Sequence, residues 1–180
     1  WQTGLAPAYL HFAGGARAAT VMTIHNLAFQ GLFPPDEVAR LGLPPAAYAV
    51  DGVEVWGRLS FLKGGLRYAD AITTVSPGYA REIQNEPLGF GLHGLLAART
   101  DALHGITNGI DVGEWDPSSD RLIAQRYDAD RLTAKAFNKE ALQERLGLPP
   151  EPRVPLLGMV SRLTHQKGID LAIEVAREIV

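Results

Sequence analysis

What most constrains the fold of this chain is an alternation: short, nearly continuous apolar runs exchange with stretches of helical spacing. Ala19 to Ile24 (ATVMTI), Ala71 to Val75 (AITTV), Leu103 to Thr107 and Val154 to Val160 (VPLLGMV) are the apolar runs. A strand that is apolar at consecutive positions is covered on both faces, and strands separated by helices form parallel sheets. The expected fold class is therefore α/β, with Rossmann-like parallel sheets.

Punctuation between the runs supports this. Pro34-Pro35-Asp36 predicts the start of a short helix, and Leu59, Leu62 and Leu66, at i, i+3 and i+7, mark a second that Asp70 closes. Ser76-Pro77 directly follows a strand, with Ser as N-cap and Pro at the first helical position. Asn108-Gly109 ends the third run in a turn. A loop of turn formers, Asp116 to Asp120 (DPSSD), sets an expected boundary: residues 1–115 belong to one domain, 116–150 form a linker and connecting helix, and 151–180 are the first βα unit of another. The connecting helix is expected over Leu132 to Leu146, capped by Gly147. Trp1 stands where a Met would open a chain and the final helix has no stop signal, so the sequence is expected to be incomplete at both ends.

Composition excludes several function classes. Hydrophobic residues at 46% and charged residues at 21% are the balance of a globular protein rather than a disordered one. A net charge of −3 with no run of Lys or Arg argues against nucleic-acid or anionic-membrane partners. No apolar stretch reaches the roughly 18 residues a membrane helix needs. Cysteine is absent, which removes disulfides and zinc thiolates and fits a reducing cytoplasm. The histidines show no ligand spacing, so no metal is expected, and neither a P-loop nor a nucleophile elbow is present.

Candidate chemistry gathers where strands end, because open α/β sheets bind ligands at the carboxyl edge. Ser161 to Gly168 (SRLTHQKG) leaves a predicted strand and enters a helix, placing Arg162 and Lys167 where a diphosphate would be gripped. On spacing alone, plain solvation is the commoner use of two such cations in a loop. His25 and Asn26 follow the first strand, either facing a ligand or capping the strand through backbone bonds. Asn108 and Asp111 end the third strand, with an ordinary turn as the alternative. Gly89 to Gly94 (GFGLHG) follows no strand and reads as a flexible surface loop. Trp1, Trp56 and Trp115 are offered either for stacking on sugars or, more commonly, for buried packing.

Taken together, several segments resemble one family, the bacterial glycogen synthases and plant starch synthases that use ADP-glucose. They are Gly4 to Leu10 (GLAPAYL), Thr23 to Gly31 (TIHNLAFQG), Phe61 to Leu66 (FLKGGL), Thr74 to Ala80 (TVSPGYA), Gly91 to Leu96 (GLHGLL), Thr107 to Asp111 (TNGID) and Ser161 to Gly168. The resemblance runs in family order along essentially the whole chain. It implies a two-domain GT-B glycosyltransferase, of which this chain holds the later part of the first domain, the linker and the first βα unit of the second. It further implies transfer of glucose from ADP-glucose to the nonreducing end of an α-1,4-glucan with retention, without a metal or cofactor. By motif, His25, Arg162 and Lys167 are then catalytic, Arg162 and Lys167 also bind the diphosphate, Asn26, Asn108 and Asp111 lie on the substrate side, and Trp1 stands beside the acceptor. The family's Lys-x-Gly-Gly-Leu loop is expected before Trp1 and its Glu-Pro-x-Gly segment beyond Val180, so the chain alone is expected to be inactive. Lys63-Gly64-Gly65-Leu66 is not that loop, because it sits inside a helical pattern. Two readings stay open: a GT-B transferase using another donor such as UDP-glucose, and a noncatalytic glucan-binding piece.

Overall fold

The computed structural model describes residues 1–14 and 18–179, apart from the side chain of His165. The chain divides into two compact units, Trp1–Gly109 and Ile110–Val180.

The first unit is built on a three-stranded parallel sheet of β1 (Val21–Ile24), β5 (Ala71–Thr74) and β6 (Leu103–Gly105), in the order β1-β5-β6. Three of the four predicted runs thus become strands of one sheet, each shorter at its ends than its apolar run. Asp70 fixes where β1 and β5 begin: its Oδ2 accepts from the amide and hydroxyl of Thr20, at 2.7 and 2.9 Å. One sheet face packs Ile24, Ile72 and Leu103 against Leu62, Leu66, Ile83 and Leu96 from the helices. On the other face, Val21 is 63% exposed and Thr23 lies 2.8 Å, hydroxyl to hydroxyl, from Thr73.

Between β1 and β5 the chain makes a second, antiparallel sheet from β2 (Leu32–Phe33), β3 (Glu54–Val55) and β4 (Arg58–Ser60), in the order β2-β4-β3. No sequence signal had pointed to it, because its strands are only two or three residues long. It has its own core, in which Leu5 and Ala8 of α1 (Ala6–Ala13) meet Val38 of α2 (Glu37–Arg40), Leu43, Val53 and Leu59. The short helix predicted after Pro34-Pro35 is α2. Leu59, assigned above to a helix, lies on β4 instead, and its i, i+3 relation to Leu62 is the accident of a strand running into α3 (Phe61–Tyr68).

Helix α3 starts at Ser60, whose hydroxyl accepts from the Lys63 amide at 3.1 Å and donates to the Gln30 carbonyl at 3.2 Å. Gly64 and Gly65 are buried as predicted, and a Cβ at Gly65 would stand 2.7 Å from Met22 Sδ. The Lys63 ammonium is turned inward, donating to the carbonyls of Val50 at 2.5 Å and Glu54 at 2.6 Å. Burial pushes its pKa below the ordinary lysine value, opposed by the Glu54 and Asp51 carboxylates. Its role is structural. The far end of α3 is closed by Arg99, which donates to the carbonyls of Leu66 at 2.6 Å and Ala69 at 2.7 Å, a favourable place for a cation.

Helix α4 (Pro77–Glu82) begins as predicted: Ser76 Oγ accepts from the Tyr79 amide at 2.9 Å and Pro77 occupies the first turn. Ser76→Ala should cost about 1 kcal/mol, the usual worth of an N-cap, read as earlier exchange of the α4 amides in hydrogen-exchange experiments. Gly89 to Gly94 is not a loose loop. Leu92 is buried, α5 (His93–Ala98) starts inside the segment, and Phe90 accepts through its carbonyl from Gln30 Nε2 at 2.8 Å. The indoles are not buried either, with Trp1 at 37%, Trp56 at 76% and Trp115 at 73% exposure.

In the second unit the connecting helix divides. A 3-10 segment, Ala129–Ala134, kinked at Arg131 by non-helical dihedrals, is followed by α6 (Lys135–Arg145). Gly147, at φ 67°, ends α6 with the Gly147 amide donating to Glu144 and the Leu148 amide to Gln143, a Schellman termination. Val154 to Val160, predicted as a strand, is not one. A strand needs a partner, and the described residues of this unit offer no other strand, so Leu157 and Val160 stay exposed. The unit closes with α7 (Ile169–Ile179).

Candidate active site

Strand β1 buries alternate residues and delivers His25, exposed, just past its carboxyl end. The chain then turns tightly. Asn26 Oδ1 accepts from the Ala28 amide at 3.0 Å, and the buried Leu27 donates through its amide to the Tyr79 hydroxyl at 3.1 Å. The carbonyls of Gln30 and Gly31 accept from the amides of Leu62 at 3.0 Å and Phe61 at 3.1 Å, which joins the turn to the first residues of α3. Gly31, at φ +62°, is the hinge against which Trp1 lies: a Cβ there would stand 2.4 Å from the indole Cε3. Trp1 also packs on Phe33 and Phe61, with ring centroids 5.7 and 5.8 Å away.

These contacts leave an open cleft of about 360 Å³ lined by Trp1, Gln2, Thr23, Ile24, His25, Asn26, Phe29 and Leu62. Trp1, His25 and Asn26, far apart in their predicted roles, are thus neighbours. Asn108 follows β6, beyond β5 from β1, and does not line this cleft; it shares only the sheet edge. That edge is tightly fixed. A Cβ at Gly105 would lie 2.3 Å from the Ser76 carbonyl oxygen and 2.4 Å from Pro77 Cα, both backbone atoms. Gly105→Ala should therefore destabilise the first unit by about 1–3 kcal/mol, measured as a loss of amide protection in β6 and α4.

Asp111 belongs to the second unit, where its Oδ1 accepts from the amides of Gly113 at 3.0 Å and Glu114 at 3.1 Å, the bonding of a turn-forming acid. Arg162 and Lys167 also stand there, bracketing a tight turn: the Thr164 amide donates to Arg162 and the Lys167 amide to Thr164, at 2.8 and 2.9 Å. The 3-10 turn His165–Lys167 then passes through Gly168, at φ +66°, into α7. Lys167 sits just before a helix of 11 residues and Arg162 on the far side of the turn that leads to it, in a loop entering a helix as predicted, although the strand expected to lead there is absent among the described residues.

Sequence reading missed Phe29, Gln2 and Gln30. Phe29, 62% exposed, gives the cleft an aromatic wall, and Gln30, buried to 7% exposure, ties the turn to Phe90. A phenylalanine and a glutamine inside TIHNLAFQG carry no local signal of which one is turned outward. Among the described residues no group of three or more His, Cys, Asp or Glu is placed to hold a metal ion. Nor is any helix among them long and apolar enough to cross a membrane.

A parallel sheet carrying a polar, aromatic-walled cleft at its carboxyl edge defines a Rossmann-like ligand-binding domain of the α/β class. Comparison with known proteins narrows this. Residues 1–98 match the model of the starch synthase catalytic domain. Glycogen synthases of Nitrosomonas eutropha and Nitrosomonas europaea are 58% and 59% identical over 176 residues, covering 98% of this chain and 35% and 36% of theirs. The solved catalytic domain of starch synthase IV from Arabidopsis thaliana, bound to ADP and acarbose, superimposes with a TM-score of 0.85 at 34% identity over 99% of this chain and 38% of that one. The chain belongs to the starch synthase catalytic domain family, whose fold is GT-B. It spans about a third of the length of the curated relatives it matches.

Proposed function

We propose that this chain is the part of an ADP-glucose-dependent glycogen synthase that supplies one wall of the sugar cleft and the cations for the diphosphate. The reaction is transfer of glucose to the nonreducing end of an α-1,4-glucan with retention at the anomeric carbon. The observation that carries the reading is the convergence of Trp1, His25 and Asn26 in one cleft at the carboxyl edge of the parallel sheet, in a chain of this family. His25, exposed beside the cleft, is positioned to bond a glucose hydroxyl, and Trp1 offers an apolar ring face to an acceptor sugar. Arg162 and Lys167 offset the negative charge that grows on the leaving ADP, the preorganised electrostatic help that acyl and phosphoryl transfer also use. Asn108 and Asp111 are assigned to the substrate side by the family resemblance alone, since neither lines the cleft. ADP in the Arabidopsis structure supports the nucleotide, and the match to glycogen synthases supports the glucan. No cofactor enters the scheme, and a cytoplasmic location accords with the absence of cysteine.

Donor choice is tested with the longer synthase and glycogen, comparing label transferred from ADP-glucose and from UDP-glucose. Transfer at least tenfold faster from ADP-glucose is expected, and equal or inverted rates would refute the donor. Complete release of the added label by an α-specific exoglucosidase is expected for retention. The 180-residue chain by itself should release no ADP from ADP-glucose and glycogen, and measurable release would refute its dependence on further donor contacts.

A further inference from the structure

Outside the cleft, the first unit holds an aromatic feature that the reaction above does not use. Trp56 and Gly57 form the two-residue turn between β3 and β4, with φ of 48° and 75°, both left-handed. Such hairpin turns favour Asn, Asp or Gly at the first position, and a bulky residue there is an outlier. Yet the indole is 76% exposed, so its burial does not repay the conformation. It is nonetheless held: a Cβ at Gly91 would stand 2.4 Å from both Cζ2 and Cη2 of the ring, so the glycine backbone supports one side while the rest faces outward. Glu54 Oε1 accepts from the Gly57 amide at 2.5 Å and steadies the turn. Phe90, beside Gly91, is a second aromatic at positive φ, 45°, and is 41% exposed. A bulky residue kept in a strained conformation while its ring stays exposed points to a functional use of that ring.

This aromatic platform is tied to the turn beside the cleft by one side chain. Gln30 Nε2 donates to the Phe90 carbonyl at 2.8 Å, and Gln30 lies between Phe29, which lines the cleft, and Gly31, which carries Trp1. Phe29 lines the cleft, and Phe90 and Gly91, against which Trp56 lies, belong to the segment that Gln30 bonds; Phe29, Phe90 and Trp56 are all exposed. We propose that Trp56, with Phe90, is an accessory subsite that stacks glucose units of the α-glucan away from the reacting end. Pyranose rings present apolar C–H faces that suit an indole and keep their hydroxyls in water. The inference rests on the glucan being the acceptor.

The test uses the longer synthase with glycogen and with maltotriose as acceptors, alongside co-sedimentation with glycogen. Trp56→Asn keeps a residue that tolerates the turn and removes the ring; Trp56→Gly is a second variant that relieves the strain. Both should raise KM for glycogen and the co-sedimentation dissociation constant about 3- to 10-fold, as expected for loss of one stacked ring, and raise KM for maltotriose less. Trp56→Tyr should restore most of the glycogen affinity. Unchanged glycogen affinity in the Asn and Gly variants, or equal penalties for glycogen and maltotriose, overturns the subsite. Loss of self-association with glucan affinity intact would assign the surface to a protein partner and overturn it too. If the parent enzyme neither binds nor extends glycogen, the proposed function fails, and that result is read before any variant is made.

Discussion

Lys167→Ala in the longer synthase is expected to lower kcat about 100- to 1000-fold, with KM for glycogen little changed, and Arg162→Ala to do nearly the same. Removing one preorganised donor from developing transition-state charge costs about 2.7–4 kcal/mol where water is excluded, which is that range of rate. In the proposed reaction the charge grows on the diphosphate only as the glycosidic bond breaks, so the loss should fall on kcat rather than on acceptor affinity. Arg162→Lys should recover little, because an ammonium cannot reproduce the two-pronged contact of a guanidinium with phosphate oxygens. Initial rates of labelled glucose transfer decide this, and a decrease below fivefold for both Ala variants would remove these residues from the leaving-group role. The double variant should lose less than the product of the single losses if both grip the same diphosphate.

The second large effect concerns stability. Leu66 is fully buried, and its side chain belongs to the cluster containing Ile24, Leu62, Ile72 and Leu96. Leu66→Ala should cost about 2–5 kcal/mol, through lost transfer energy and the cavity left behind. Native-state hydrogen exchange, read at the β5 amides, localises the loss to this core even in a multidomain protein. Leu66→Met, which nearly conserves volume, should cost below about 1.5 kcal/mol. An Ala variant within 1 kcal/mol of the parent would mean that α3 does not carry the sheet.

How much of this was legible depended on whether a signal was local. Ser76-Pro77 announced α4 because an N-cap and a first-turn proline act within four residues, and the hydroxyl bond is where those residues placed it. The positions of β1 and β5 followed from their composition, but continuous apolarity predicted cover on both faces and only alternate residues, Met22, Ile24, Ile72 and Thr74, are buried. The antiparallel β2-β4-β3 sheet was invisible because strands of two or three residues have no period to detect. Val154 to Val160 failed for a different reason: an apolar run states a preference, but a ladder bond needs a second chain segment, and the described residues of the unit supply none. In the candidate site, His25 and Asn26 were found by the strand-edge rule, and Trp1 came to their side only through Gly31, whose missing Cβ is a tertiary fact. Resemblance to the family named Trp1 without explaining it. Phe29 and Gln30 were missed since which of two adjacent residues faces outward depends on bonds to Leu62 and Phe90, distant in sequence.

The two hydrophobic clusters of the first unit have a consequence for how the cleft responds to stress. The His25 wall rises from the sheet cluster, whereas Trp1 rests on Phe33 and Phe61, which pack on the crossover cluster around Val53 and Leu59. The cleft therefore lies along a seam between two separately cemented blocks. Loosening one block, for instance by nicking the chain between Pro34 and Val53, should let the tryptophan wall drift while the histidine wall holds its place. If Trp1 holds the acceptor as proposed, that grip would then be lost before the fold is.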